Sequence, residues 1–445
     1  MEFKEEKLSK LIIKYAIPMI FNYLVYALYF FVDGLFIGKY VGKEGLAAIN
    51  ILFPVLQLVI AIKFMIAVGT STSVSVDLGK EKQKEANNTF NMVLCLLPVF
   101  GIISLLLAKG LGEAIYSVLG VQGSILNFSR IYLNIYAICI PLQFFSSYFG
   151  YIGRAKGKPK IVTLVYVSTT MLNVLLDYIF IAKLGYGVAG AVWATNIAYI
   201  VNGLLLTPLF VTDRIYFAKF RMNFKKVLKC LYNGIADFSS EISIGVTYLL
   251  YNYVIFKMLG DTGLAAMAIL EYVGTIIILV IYAISTAANP IISYNYGAKE
   301  VLRVKEARKI VTNINIVIAA ICAVIFIVFI DDLSMLFIKN DVDAKMVLSI
   351  IKLATIYYAI NFIFMAYNLV AISYNTALEK PKIAATIAIL RSVVLVAVGL
   401  FVLPYFMGDT GIWITILFAD AGTTLIYLLF LKKKEKKYFE LVEAS

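Results

Sequence analysis

An all-α polytopic membrane protein is the fold class this sequence predicts, with twelve transmembrane helices in two six-helix lobes related by a parallel internal repeat. Three observations carry that prediction. The chain is 62% hydrophobic and only 15% charged, with a mean hydropathy of +0.89. It holds uninterrupted charge-free runs at 86–108, 131–153, 184–212, 272–298, 310–330 and 353–378, each reaching the roughly 20 residues a membrane-spanning helix needs. Short motifs in its first half also return in order in its second. The alternating ten-residue strands of an outer-membrane barrel are absent.

Taken in order, the spans are expected at 11–37, 45–77, 87–109, 128–153, 160–182, 187–211, 229–257, 262–296, 309–330, 344–377, 383–406 and 410–431. The first ten residues carry both signs of charge and lead into a full-length span without a small-residue cleavage site, so no signal peptide is expected. Of the 40 Lys and Arg residues, 29 fall at the termini and in the loops after spans 2, 4, 6, 8 and 10. Eight fall in the opposite loops, and three (Lys63, Lys352, Arg391) lie within spans. By the positive-inside rule both termini are cytoplasmic, in a multi-pass protein of the cytoplasmic membrane. The outer loop between spans 9 and 10 collects Asp331, Asp332, Asp341 and Asp343. The net charge of +13 is therefore topological and gives no reason to expect a nucleic-acid partner. Membrane lipid is the partner it does imply, above all for the run Lys432-Lys433-Lys434-Glu435-Lys436-Lys437.

The duplication is read from four ordered matches. Gly42-Lys-Glu-Gly-Leu-Ala-Ala48 returns as Gly260-Asp-Thr-Gly-Leu-Ala-Ala266, and the same offset carries Gly79 onto Gly297. Lys158-Pro-Lys-Ile161 returns as Lys380-Pro-Lys-Ile383, and Gly187-x-x-Gly190 as Gly408-x-x-Gly411. Six spans per copy return the chain to its starting side, so the copies share an orientation. The expected organisation is an amino-terminal lobe at 1–212, a basic cytoplasmic linker at 213–228, and a carboxy-terminal lobe with a basic tail at 229–445. Two facing lobes form a natural frame for alternating access.

Within the spans, Asp33, Asp177, Glu241, Glu271 and Asp420 lie too deep to be loop residues, while Asp77 and Asp237 lie nearer the ends. A carboxylate at the bilayer centre costs roughly 2.5–3.5 kcal/mol on insertion scales, so it needs a partner, a proton or a cation. Asn173 and Asp177 are four residues apart and share a helix face. From Lys14 to Asp33 a helix rises about 28 Å, and from Lys160 to Asp177 about 25 Å. Both acids thus reach the outer half of the membrane, where Thr195 also lies, eight residues into span 6. Asp33, Asn173, Asp177 and Thr195 form a hard-oxygen set. Two carboxylates sharing a low-dielectric pocket retain one proton or share one Na⁺. The alternative is a protonated acid that merely bonds helices together. The repeat argues for exchange, because the second copy has Tyr251 in place of Asp33 and Val398 in place of Asp177.

Glu241, Glu271 and Asp420 lie near mid-membrane in the second lobe. They are candidates for holding a cationic substrate, for ion coupling, or for pairing with Lys352 or Arg391; Lys63 is expected to snorkel or to pair with an acid. Tyr23, Tyr26 and Tyr29 recur at helical spacing on span 1, as packing or as a cation-binding wall. The chain has no histidine, which removes imidazole chemistry and metal triads. Its four isolated cysteines read as small core residues. No phosphate loop, dinucleotide fingerprint or nucleophile elbow is present. These absences predict that the protein is not an enzyme and has no cofactor beyond a coupling ion, H⁺ or Na⁺.

Six segments together resemble the multidrug and toxic compound extrusion (MATE) family over essentially the whole chain. They are Pro18, Phe31-Val-Asp-Gly-Leu-Phe-Ile-Gly38, Gly45-Leu-Ala-Ala48, Leu78-Gly-Lys-Glu81, Gly153-Arg-Ala-Lys-Gly-Lys-Pro159 and Asn173-x-x-x-Asp177. The pair Asp33 and Asp177 resembles the DinF-like branch, in which these acids with Asn173 and Thr195 form a first-lobe cation site. That resemblance implies a monomeric secondary antiporter exporting amphipathic cationic small molecules in exchange for H⁺ or Na⁺. Tyr26, Glu241, Glu271 and Asp420 are then the candidate substrate-cavity residues. Glu241 resembles the span-7 acid of the NorM-like branch, but span 10 offers Asn361 and Asn368 where that branch has an acid. The same superfamily includes flippases of lipid-linked intermediates, the alternative reading, which usually line their cavity with cationic residues.

Overall fold

Among the described residues, which are 2–213, 215–335 and 342–432 of a computed structural model, the chain is helical throughout. A short α1 (Glu2–Glu5) is followed by α2 (Leu8–Tyr40), α3 (Lys43–Gly79), α4 (Gln83–Val118), α5 (Gly123–Ala155), α6 (Pro159–Asp177) and α7 (Gly187–Leu206). The second half contains α8 (Phe224–Asn233), α9 (Ile235–Ala287), α10 (Asn289–Gly297), α11 (Val301–Met335), α12 (Val342–Ala377), α13 (Pro381–Ile389), α14 (Leu395–Met407) and α15 (Asp409–Ile426). Eleven helical runs are long and apolar enough to cross a membrane. One of them, Ile235–Gly297, has 63 residues, about 95 Å of helix against a hydrocarbon core of about 30 Å. It breaks at Gly260, where φ is 60° and ψ is −151°, so it crosses twice and the total is twelve. The basic run beyond Lys432 and Asp341 lie outside the described residues.

The backbone repeats even where the side chains have drifted. Gly42 and Gly260 both hold positive φ, as do Gly187 and Gly408, which explains why these glycines head the repeated motifs. Glu81 and Lys299 hold the same left-handed conformation, both at φ 61°, although their side chains have nothing in common.

Two compact units form, one from Ile17–Glu241, the other from Phe3–Ala16 together with the chain from Ile242 onward. In the first unit α5 packs on α3, α4 and α7, and α6 on α7. Here the expected start of span 7 at residue 229 is corrected. Its helix begins earlier, as α8, and pauses at Gly234 before α9. This first stretch runs antiparallel along α3: Lys226 pairs with Asp77 at 2.6 Å, Asn233 donates to Ser73 at 3.0 Å, and Gln57 donates to the Glu241 carboxylate at 2.7 Å. Two glycines permit this approach. A Cβ on Gly69 would lie 2.0 Å from the Cys230 carbonyl oxygen, and one on Gly234 only 1.8 Å from that of Met65.

In the second unit the amino-terminal segment is held by its own backbone. The Phe3 carbonyl accepts from Asn295 at 3.2 Å and from Arg303 at 2.9 Å, and the Phe3 ring packs on Tyr294. Asp331 and Asp332 belong to α11 rather than to a loop, and Lys352 pairs with Asp331 at 3.0 Å. Arg391, on a π-helical segment (Leu390–Val394), grips Asp420 with two bonds of 2.7 and 3.0 Å. Asn368 donates to the same carboxylate at 2.8 Å and accepts from Thr424 at 2.9 Å.

Two stability predictions follow from this packing. Gly234→Ala meets backbone that cannot retreat, so its overpacking should exceed the usual 1–3 kcal/mol and lower the melting temperature in detergent, whereas Gly110→Ala, with open space around it, should be neutral. Arg391→Met should cost about 3–5 kcal/mol by stranding Asp420. Adding Asp420→Asn should recover most of that loss in the same melting assay.

Candidate functional site

α2, α6 and α7 bring the four residues singled out as cation ligands into the interior of the first unit. Asp177 is fully buried at the end of α6, with Asn173 one turn earlier at 2% exposure and Thr195 on α7 at 7%. Asp33, on α2, is half-buried, and its Oδ1 is enclosed without a hydrogen-bond partner among the described residues. Its charge acts on Asp177. Tyr29, one turn before Asp33, meets Thr195 through a hydroxyl–hydroxyl bond of 3.2 Å that ties α2 to α7. Tyr132 on α5 lies within electrostatic reach of both acids.

The three helices are layered alike. One turn beyond the acids stand Ile37, Ile181 and Ala191, at 1%, 2% and 1% exposure, packed into one apolar cluster with Phe36, Val41, Leu46 and Ile49 around it. One turn to the other side stand Tyr29, Asn173 and Tyr199. Asp33 and Asp177 therefore lie between a hydrocarbon layer on one side and hydroxyls and an amide on the other. The sealing layer depends on a backbone irregularity. Directly after Asp177 the helix widens into a π segment (Tyr178–Lys183) that carries Ile181. α7 reaches this segment because Gly190 has no side chain: a Cβ there would already be 3.0 Å from that of Phe180. π segments commonly accompany functional positions.

The four candidate substrate-cavity residues divide between the units. Tyr26 is 40% exposed, packs on Tyr29 with the rings tilted by 52° and their centroids 5.9 Å apart, and feels the charge of Glu241. Glu241 itself belongs to the first unit, through Gln57. Asp420 is committed to Arg391 and Asn368. Glu271 is half-buried, with Tyr251, Tyr358 and Tyr248 within reach of its charge. Asn361 and Asn368 are both buried. Lys63 neither snorkels nor forms an ion pair among the described residues. It is 3% exposed and donates to Gln143.

Sequence reasoning missed Tyr132 and the π segment. The only signal for Tyr132 was its spacing from Tyr136, four residues on, with which it stacks at 6.2 Å. Nothing in residues 178–183 distinguishes a π segment from ordinary apolar helix.

Comparison with known proteins agrees with this architecture. The chain is 25% identical over 432 residues to a multidrug export protein, MepA, of Staphylococcus haemolyticus, covering 94% of this chain and 92% of that one. It is also 25% identical over 439 residues to the MepA protein of Staphylococcus saprophyticus, at 96% and 95% coverage. Among solved structures, the outward-facing conformation of a multidrug resistance MATE family transporter superposes with a TM-score of 0.92 at 20% identity, over 100% of this chain and 98% of that one. A transporter of the same superfamily from Pyrococcus furiosus gives 0.91, also at 20% identity, over 99% and 98%. The MatE family profile matches twice, at residues 18–179 and 240–402, once per copy of the repeat and over more than half the chain. By that double match the chain belongs to the MatE family.

Proposed function

We propose that the protein is a secondary active antiporter that exports amphipathic, cationic small molecules in exchange for H⁺ or Na⁺. The coupling site is Asp33, Asn173, Asp177 and Thr195. One observation carries this reading: the buried Asp177 feels the charge of the half-buried Asp33, beside a buried amide and hydroxyl and next to an apolar cluster. Two like charges in so dry a place favour uptake of one cation or proton. The family membership and the names of the relatives support export of drugs or toxic metabolites. The basic-residue distribution supports a place in the cytoplasmic membrane with both termini inside, and the protein acts as a monomer in this reading.

The working cycle is alternating access between lobes at 1–212 and 229–445, joined by the linker at 213–228. An entering cation neutralises the acid pair and relaxes the repulsion that separates α2 from α6. Substrate held by the charged form is then released. Each charge carried through 100 mV contributes about 2.3 kcal/mol to the exchange. Tyr26, Glu241 and Glu271 supply aromatic and acidic contacts to the substrate.

Ethidium efflux from proteoliposomes tests this reading, with proton and sodium gradients imposed separately. Wild type should accumulate or release ethidium in response to at least one gradient. Asp177→Asn should abolish that response while inserting normally, and Asp33→Asn should do the same. Efflux by Asp177→Asn at the wild-type rate would remove the coupling role.

A further inference from the structure

In that cycle the linker only joins the lobes, yet its backbone is pinned along its length. Residues 216–223 form no helix, so their amides and carbonyls need partners outside their own segment. Three asparagines on the first turns of α4 supply them, because each side chain carries both a donor and an acceptor. Asn87 accepts from the Tyr216 amide at 2.9 Å, while Asn91 donates to the Tyr216 carbonyl at 2.9 Å and accepts from the Ala218 amide at 3.0 Å. Asn88 takes both backbone groups of Arg221, accepting at 2.6 Å and donating at 3.0 Å. Lys156 secures the start of the segment, donating to the carbonyls of Thr212 at 2.7 Å and Ile215 at 2.9 Å. The asparagines are not part of the duplicated scaffold. The step from Gly79 to Gly297 puts Lys305, Glu306 and Lys309 in their places.

This strap has a defined height and leaves a defined set of side chains exposed. Asn87 and Asn91 stand where the charged stretch 80–85 gives way to the apolar run at 86–108, the level at which a membrane-spanning α4 meets lipid headgroups. Lys219, Arg221 and Lys225 are exposed there, and among the described residues they form no ion pair. Of the acids at this end of α3 and α4, Asp77 is held by Lys226 and Glu85 by Lys82, and Glu81 is flanked by Lys80 and Lys82. The linker has a single acid of its own, Asp213. On α8 the exposed Phe224, Leu228 and Tyr232 are one turn apart and form a single apolar line that leads from the strap toward α9. A soluble polyanion would use the bases alone, whereas a phospholipid uses the bases and the apolar line together.

We propose that the strap is a binding site for an anionic phospholipid of the cytoplasmic leaflet. Its phosphate is held by Lys219, Arg221 and Lys225, and an acyl chain lies along Phe224, Leu228 and Tyr232. The asparagines hold the three charges in one place, which a loose linker would scatter. The choice of leaflet rests on the topology proposed above, but the contact is tested without it.

The test places the full-length protein, with Phe224→Trp as reporter, in phosphatidylcholine vesicles that contain bromine-labelled phosphatidylglycerol or bromine-labelled phosphatidylcholine. It reads the quenching gained over a parent with its two native tryptophans. Each basic residue at an anionic surface favours the charged lipid about fivefold, so half-quenching should need about one-tenth as much labelled phosphatidylglycerol as labelled phosphatidylcholine. Adding Lys219→Gln, Arg221→Gln and Lys225→Gln should make the two lipids equivalent. Asn88→Ala with Asn91→Ala keeps every charge and should still reduce the preference, to about threefold. Should that pair fail to fold, Asn88→Ala alone, which removes only the two surface bonds to Arg221, should lower the preference in the same direction. Equal quenching by the two lipids in the reporter protein overturns the site, as does a preference that survives the glutamine substitutions. An undiminished preference in the asparagine variants overturns the strap's part in it. A wrong choice of leaflet would show separately, as labelling of Lys219→Cys by a membrane-impermeant maleimide outside intact cells.

Discussion

A carboxylate at hydrocarbon depth must be given a proton, a cation or a complete set of hydrogen bonds. Much of the internal packing follows from how each acid meets that demand. Asp77 meets it with Lys226, and in doing so fastens the start of α8 to the end of α3. Asp420 meets it with Arg391 and Asn368, which joins α12, the π segment before α14, and α15. Glu241 leans on Gln57, which keeps the first turns of α9 in the first unit. Asp33 and Asp177 face each other's charge instead. Acids paired with a cation act as bolts between helices, whereas an acid pair of like sign is left to be balanced by a proton or a cation.

The layering around that pair follows from helix periodicity. Residues four apart lie one turn apart on a common face, so α2, α6 with its π extension, and α7 each present an apolar residue, a candidate site residue and a polar residue in sequence. Ile37, Asp33 and Tyr29 make one column, Ile181, Asp177 and Asn173 a second, and Ala191, Thr195 and Tyr199 a third. Because α2 and α6 run opposite to α7, the three columns align only if Asp33, Asp177 and Thr195 meet at one height. Their burial and the Tyr29–Thr195 bond report that they do. The apolar layer then raises the electrostatic stakes at the acids by excluding water on one side, as low polarity strengthens every charge interaction.

The parts of this arrangement legible in the sequence were those with a strong periodic or compositional signal. Twelve apolar runs, the Gly42 and Gly260 motifs, and the four-residue step from Asn173 to Asp177 could all be read directly. Depth could be estimated for Asp33 and Asp177 because each lies a countable number of turns past a basic residue. What escaped was decided by packing between distant elements. The break at Gly234 arises where α8 meets α3 backbone to backbone, and a single glycine in an apolar run does not announce it. The attachment of residues 3–16 to the second unit depends on Arg303 and Asn295 reaching Phe3, nearly three hundred residues away. Glu241 was assigned to the second lobe by its span, because membership was counted by loops, and the actual partner, Gln57, carries no charge to betray it.

The two copies of the repeat also show how a neutral scaffold becomes a locked one. In the first unit Ser146 donates to Asn202 at 2.8 Å, and Asn202 donates to Thr169 at 3.0 Å, a buried chain linking α5, α6 and α7. Asn368 and Arg391 stand 222 residues beyond Ser146 and Thr169. With Thr424 they also bridge α12, the π segment before α14 and α15, but through Asp420, whose place in the first copy, by the step from Gly187 to Gly408, is held by Tyr199. The same polar seam is thus kept by neutral groups in one half and by a buried ion pair in the other. Breaking a neutral hydrogen bond between helices costs little, whereas parting a buried ion pair leaves two uncompensated charges. Parting the seam in the first unit therefore costs less than parting the seam in the second, so one duplicated design holds its two halves with unequal strength.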